Sequence, residues 1–233
     1  MMLPVFFLPG VFFLGLAHCG PGAAPPVASG GVLDLRGWDF ARDGSVPLDG
    51  EWFFLRDRLA APAEPWSAAA LMELPGGWNG YTGDGGPPFG GQGFATYRLS
   101  VLLSDPPPQL LLSLPTVHSA FRFYANGVVV GENGRVGTSK SETRPQYLPM
   151  IASVERPGTR LELVYQIANF HHRKGGTWTN VYLGDEHLRR DRENELRLNF
   201  FVLGAFCVMG LYHLGLFLYR GRDLSPLFFG IST

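Results

Sequence analysis

The chain has 233 residues, of which 45% are apolar and 17% charged, with a net charge of -1 and a high content of Gly (31) and Pro (19). Near-neutral charge excludes a nucleic-acid footprint, because no face-wide Lys/Arg excess exists to neutralise phosphates. The two cysteines, Cys19 and Cys207, give no disulfide framework.

Residues 1–30 combine an apolar start, MMLPVFFLPGVFFLGLAHC, with a small, Pro-rich spacer. They read as a secretory signal peptide or an N-terminal anchor. No Lys or Arg precedes the apolar core, Pro4 and Pro9 interrupt it, and His18 stands where a lipoprotein box before Cys19 wants a small residue.

From residue 31 to 184 the pattern is short strands and turns. Val32 to Leu35 alternates, and Trp38-Asp39-Phe40 continues in extended form. Asp49-Gly50 is a turn signal feeding the aromatic strand Glu51 to Leu55, and Ser67 to Met72 is suited to one helical turn. Asn79 to Gln92, NGYTGDGGPPFGGQ, is a Gly/Pro loop of a length that is commonly functional. In Ala95 to Val101, Ala95, Tyr97, Leu99 and Val101 share one face and Thr96, Arg98 and Ser100 the other, which predicts a half-buried strand.

Leu110 to Leu114 is apolar enough for a strand covered on both faces. Asn126-Gly127 between Phe121–Ala125 and Val128–Val130 is the strongest hairpin signal in the chain, since a type I′ turn needs φ > 0 twice. Leu161 to Ile167 alternates again, and Thr177 to Leu183 offers a last strand. The sum predicts a mainly β fold, an antiparallel jelly-roll β-sandwich.

Residues 185–199 form a charged linker helix opened by Asp185-Glu186, where a helix N-terminus favours negative charge. It runs into Phe200 to Tyr219, twenty residues without Asp, Glu, Lys or Arg. At about 1.5 Å per residue this reaches roughly 30 Å, the thickness of a bilayer core. His213 within it is a packing or relay candidate. Residues 224–233 turn apolar again and read as the start of a second span, so the chain is expected to be part of a longer membrane protein. Arg189, Arg190, Arg192 and Arg197 before the span outnumber Arg220 and Arg222 after it, yet a long exported domain follows its N-terminal signal. Residues 31–199 are therefore expected on the periplasmic or extracellular side of a cell inner membrane.

Two resemblances add to this reading. Leu48–Phe54, Leu74–Trp78, Ala95–Leu99 and Phe121–Gly131 resemble, in order, the sugar-binding, galactose-binding-like jelly-roll domains that precede the catalytic barrel of some glycoside hydrolases. With Asn169-Phe170-His171-His172, Gly175-Gly176, Leu183-Gly184, Gly210-Leu211-Tyr212-His213-Leu214 and Asp223 to Gly230, most of the chain resembles the bacterial seven-transmembrane receptors with diverse intracellular signalling modules. The resemblance implies their second type of extracellular domain followed by the first transmembrane helix. It implies an extracytoplasmic sensor that passes a signal through the membrane. The alternative is a sugar-binding accessory domain of a membrane-anchored glycoside hydrolase, and a third reading is an adhesive surface protein.

The ligand site expected from the residues comprises Asn169, His171 and His172 after a strand, with Arg122 and Tyr124 from the face opposite Phe121 and Phe123. The competing reading of Asn169 is a side chain that bonds the local backbone. Of the tryptophans at 38, 52, 66, 78 and 178, most are expected in the core, and Trp78 with Tyr81 are expected to be partly exposed at the mouth of the Gly-rich loop. Adjacent histidines on a strand point to opposite faces and nothing completes a ligand set, so no metal, cofactor or catalytic residue is expected. The partners expected are a small-molecule ligand such as a carbohydrate and the membrane, without nucleic acid, and a homodimer is left open.

Overall fold

A computed structural model describes residues 24–66, 69–83, 85–117 and 119–220. The expected N-terminal signal with Cys19, and the start of a second span, lie outside them.

The elements in chain order are β1 (Val32–Asp34), α1 (Phe40–Asp43), β2 (Val46–Pro47), β3 (Gly50–Arg56), β4 (Ala70–Leu74), β5 (Gly76–Gly77), β6 (Gly93–Leu102), β7 (Gln109–Leu114), β8 (Ala120–Ala125), β9 (Val128–Asn133), β10 (Met150–Glu155), β11 (Arg160–Asn169), β12 (Gly176–Thr177), β13 (Tyr182–Gly184) and α2 (Glu186–Arg220). One sheet runs β4-β3-β6-β11-β8-β9, with β1 added in parallel to the end of β6. A second sheet runs β10-β7-β13-β2, and β12 pairs β5 in a short ribbon. The other pairings between these named strands are antiparallel. The mainly β sandwich expected from the strand pattern is present.

Period-two patterning decides which residues fill the space between the sheets. The large sheet contributes Trp52, Phe54, Tyr97, Leu99, Phe121, Phe123, Leu163, Tyr165 and Ile167, and the small sheet Val46, Leu110, Leu112, Leu114, Val154 and Leu183, all in one buried cluster. Aromatic contacts knit it: Tyr165 lies edge-on to Phe121 at 5.4 Å and tilted against Phe123 at 4.9 Å between ring centroids. The β8–β9 hairpin turns at Asn126 and Gly127, both with positive φ (47° and 81°), as its sequence demands. Asn126 adds two tethers, accepting from the Glu162 amide on Oδ1 and donating to the Pro157 carbonyl.

Several expectations are corrected. Residues 40–43 make a helical turn rather than continuing a strand, because Asp39 caps it through the Ala41 amide. Ala70 to Met72 belong to a strand, since pairing with Trp52 to Phe54 outweighs their helical propensity. Asp49-Gly50 feeds the aromatic strand as expected, and it does so by carrying the chain from the small sheet to the large one. Residues 177–183 split into two strands in different sheets. Thr96 and Ser100 are buried, not solvent-facing: the segment from Arg58 to Ala60 lies against Thr96, and Ser100 is engaged by Glu162 and Arg160. Thr96 Oγ donates to the Arg58 carbonyl and accepts from the Ala60 amide, and Gln166 donates to the Ala60 carbonyl.

The same outer face holds a charge cluster. Glu162 accepts from Arg98 Nε at 2.9 Å, Ser100 Oγ at 2.8 Å and Arg160 Nε at 2.5 Å. Burial raises the carboxyl pKa, but the hydrogen bonds from Arg160, Ser100 and Arg98 outweigh it and hold it below 4.5. A depressed carboxylate pKa stabilises the fold above the unfolded value, and that stability is lost as pH falls through the folded value. Glu162→Gln is therefore expected to cost about 1–2 kcal/mol at pH 7, discounted for partial solvent screening, with the gap closing below pH 4.5. Urea unfolding followed by tryptophan fluorescence at both pH values checks this.

The sandwich belongs to a compact unit that ends at Arg189, and the rest of α2 lies in a second unit. Asp185 opens the helix by accepting from the His187 amide at 2.9 Å. The exposed first turns carry ion pairs at helical spacing: Glu186–Arg189, Arg192–Glu195 and Glu193–Arg197. From Phe200 to Tyr219 the helix is apolar on every side and none of it is buried. It is long and apolar enough to cross a membrane.

Candidate functional site

Two side-chain carboxamides bind the loops at one end of the sandwich to each other. Asn169, the last residue of β11, is 1% exposed. Its Nδ2 donates towards the carbonyls of Gly91, His172 and Lys174 at 2.7, 2.9 and 3.0 Å. Its Oδ1 accepts from the His172 amide at 3.0 Å and the His171 amide at 3.4 Å. Two hydrogens serve three acceptors, so one bond is shared. Asn79 repeats the device from the opposite loop, donating to the Arg173 carbonyl at 3.1 Å and accepting from the Gly175 amide at 2.8 Å.

Close approach completes the junction. A Cβ at Gly91 would collide with the Arg173 carbonyl, and one at Gly175 with the Trp78 indole. Only glycine lets the two loops pack backbone to backbone. Trp78 itself is fully buried, stacked on Phe89 at 5.1 Å between centroids, with Nε1 donating to the Gly91 carbonyl at 3.3 Å. The exposure expected for Trp78 is thus corrected: it is the floor of the junction, because its ring fills the space between the loops. Tyr81 is partly exposed as expected, edge-on to Phe54, with its hydroxyl on the Leu71 carbonyl at 2.7 Å. Deeper in the core, the Tyr97 hydroxyl has no partner among the described residues, and burial first, then Tyr165 and Tyr81, push its pKa up.

The expected composite site is not assembled. Arg122 and Tyr124 lie at mid-sheet on the outer face, opposite Gln166 and Val164 of β11. Asn169 is three residues further along and shares the inward parity of Tyr165 and Ile167. Strand periodicity therefore separates the two groups by face as well as by distance. Arg122 pairs with Glu132, and Tyr124 Oη lies 3.5 Å from Gln166 Oε1. For Asn169 the local-backbone reading prevails: every polar atom of its side chain is engaged, so it positions the loops instead of meeting a ligand.

What the junction presents is His171, His172, Arg173, Lys174 and Trp178. His171 is exposed, and His172 is half-buried with Nδ1 3.0 Å from the Lys174 carbonyl. Trp178, 42% exposed, packs over the Gly77 backbone, and Lys174 Nζ sits 4.2 Å from its ring centroid. Sequence alone offered no means of separating Trp178 from the core tryptophans, since its exposure depends on the β12–β5 ribbon. Among the described residues no group of three or more His, Cys, Asp or Glu is arranged to hold a metal.

No protein-family model matches the chain, and no curated protein matches it. Solved structures similar to it include a Faecalibacterium prausnitzii β-glucuronidase (19% identity, 55% of this chain and 21% of that one, TM-score 0.41). A Ruminococcus gnavus β-glucuronidase is similar over 60% of this chain and 29% of its own (16% identity, TM-score 0.43). An Eisenbergiella tayi β-galacturonidase is similar over 60% and 24% (18% identity, TM-score 0.41). The chain thus spans less than a third of their lengths. At these scores the likeness carries no argument about ligand or activity.

Asn169→Ala is expected to destabilise the sandwich by about 2–4 kcal/mol, since it strands buried carbonyls and an amide, whereas His171→Ala stays within about 0.5 kcal/mol. Urea unfolding of both variants measures the contrast. Equal stability would show that the junction is not held by this amide.

Proposed function

We propose that this chain is the extracytoplasmic ligand-binding part and first membrane helix of a bacterial signalling receptor, non-catalytic in itself, whose sandwich recognises a small carbohydrate. One arrangement carries the reading: a loop platform locked by Asn169 and Asn79, bearing an exposed indole, on a domain that enters a helix of spanning length without an intervening loop. Indole faces suit the apolar faces of sugar rings, and the neighbouring imidazoles suit their hydroxyls. Locking the loops beforehand lowers the ordering cost of binding.

The continuity of α2 supports the signalling half. Gly184 ends the last strand, Asp185 caps the helix, and Glu186–Arg220 is unbroken over 35 residues, about 52 Å at helical rise. In this reading the sandwich lies in the periplasm of a cell with its span in the inner membrane.

The test uses the full chain in lipid nanodiscs. A glycan array identifies a binder, and the combined His171→Ala and His172→Ala change is expected to weaken it about tenfold, the worth of one or two hydrogen bonds. A nitroxide on Arg190→Cys, with Cys19 and Cys207 replaced by serine, is expected to change its spectrum when that glycan saturates the protein. Binding without any spectral change would contradict the signalling half, and silence across the array would contradict the carbohydrate half.

A further inference from the structure

We infer that the platform selects an acidic glycan, with the sugar ring on the Trp178 indole and its carboxylate between Lys174 and Arg173. The inference rests on the carbohydrate reading above. Three observations carry it. Residues 171–174 are His-His-Arg-Lys, four residues of basic type in succession. Among the described residues Arg173 and Lys174 form no ion pair with a carboxylate, as Arg135, Lys140, Arg144 and Arg156 also do not, whereas Arg36, Arg42, Arg56, Arg58, Arg98, Arg122 and Arg160 of the same domain each pair with one. Their backbone, unlike an ordinary exposed loop, is fixed: the Arg173 carbonyl is held by Asn79 and the Lys174 carbonyl by Asn169.

Trp178 supplies a further observation beside those three. One face of its indole packs over Gly77, where a Cβ would stand 3.2 Å from Cζ2, and Lys174 Nζ lies over the ring at 4.2 Å. An exposed cation–π contact is weak, about 0.5–1 kcal/mol, so the ammonium is easily drawn off by a carboxylate. An incoming uronate-type sugar would exchange that contact for a charge-assisted hydrogen bond, and leave the indole to its ring. A neutral sugar would gain the indole only by displacing the ammonium into water. The arrangement therefore discriminates by charge at the position where stacking occurs.

The experiment is calorimetric titration of the full chain, in nanodiscs of zwitterionic lipid, with trigalacturonate and with its methyl ester, which has the same hydroxyls and no charge. Trigalacturonate is expected to bind about tenfold or more tightly than the ester, with the advantage shrinking at raised salt. Trp178→Ala is expected to weaken both about tenfold, Trp178→Phe to retain most binding, and Lys174→Met to reduce the acid's advantage. The variants lie on the surface, and an unchanged unfolding midpoint separates lost binding from lost fold. Equal affinity for acid and ester overturns the acidic selection while leaving the carbohydrate reading intact. Failure of both, together with neutral oligosaccharides, overturns the two readings at once. Binding indifferent to Trp178→Ala places the sugar elsewhere and overturns the assignment of this platform.

Discussion

The side-chain amide of Asn169 is the contact on which the loop end of the sandwich depends. A carboxamide is the one common side chain of this size that donates twice and accepts at the same time. At the end of β11 it meets three carbonyls and two amides that no strand ladder can reach. An aspartate there would face three carbonyl oxygens with no donor, and an aliphatic residue would leave all of them desolvated and unpaired. The glycines at 91 and 175 and the buried Trp78 follow from that choice, because the amide can bridge the loops only if they approach within backbone contact.

The strands were legible because the sheet uses alternation at β6, β8 and β11 and a type I′ turn at Asn126-Gly127, signals carried by adjacent residues. The helix beginning at Asp185 and the apolar stretch beyond it were legible for the same reason. The loop platform was not. Asn169 was visible as a polar residue after a strand, but its partners at Gly91 and Lys174 come from two loops, and only folding brings them together. Trp78 and Trp178 have similar neighbours in sequence, both near paired glycines, yet one is the floor and the other the surface. That difference is set by the β12–β5 ribbon, two residues per strand, too short to leave a periodic trace. Arg122 and Tyr124 were correctly placed opposite the core face. Grouping them with Asn169 failed because β11 carries Gln166 and Asn169 on opposite faces.

The outer face of the large sheet shows what a structural use of polar residues looks like in the same domain. Arg98, Arg160, Ser100 and Glu162 satisfy one another, as do Thr96, Gln166 and the backbone of residues 58–60. The loop end differs in kind: its side chains His171, Arg173 and Lys174 are exposed, and neither Arg173 nor Lys174 pairs with a carboxylate among the described residues. A fixed backbone with exposed side chains is the arrangement that binding favours, because much of the ordering has been completed before a ligand arrives.

That prior ordering is directly measurable. Hydrogen exchange of the His172 and Gly175 amides, which donate to Asn169 and Asn79, is expected in the ligand-free protein to be at least about a hundredfold slower than for an open loop. Exchange of both amides at the rate of a free loop would contradict the account, whatever ligands the protein is later found to bind.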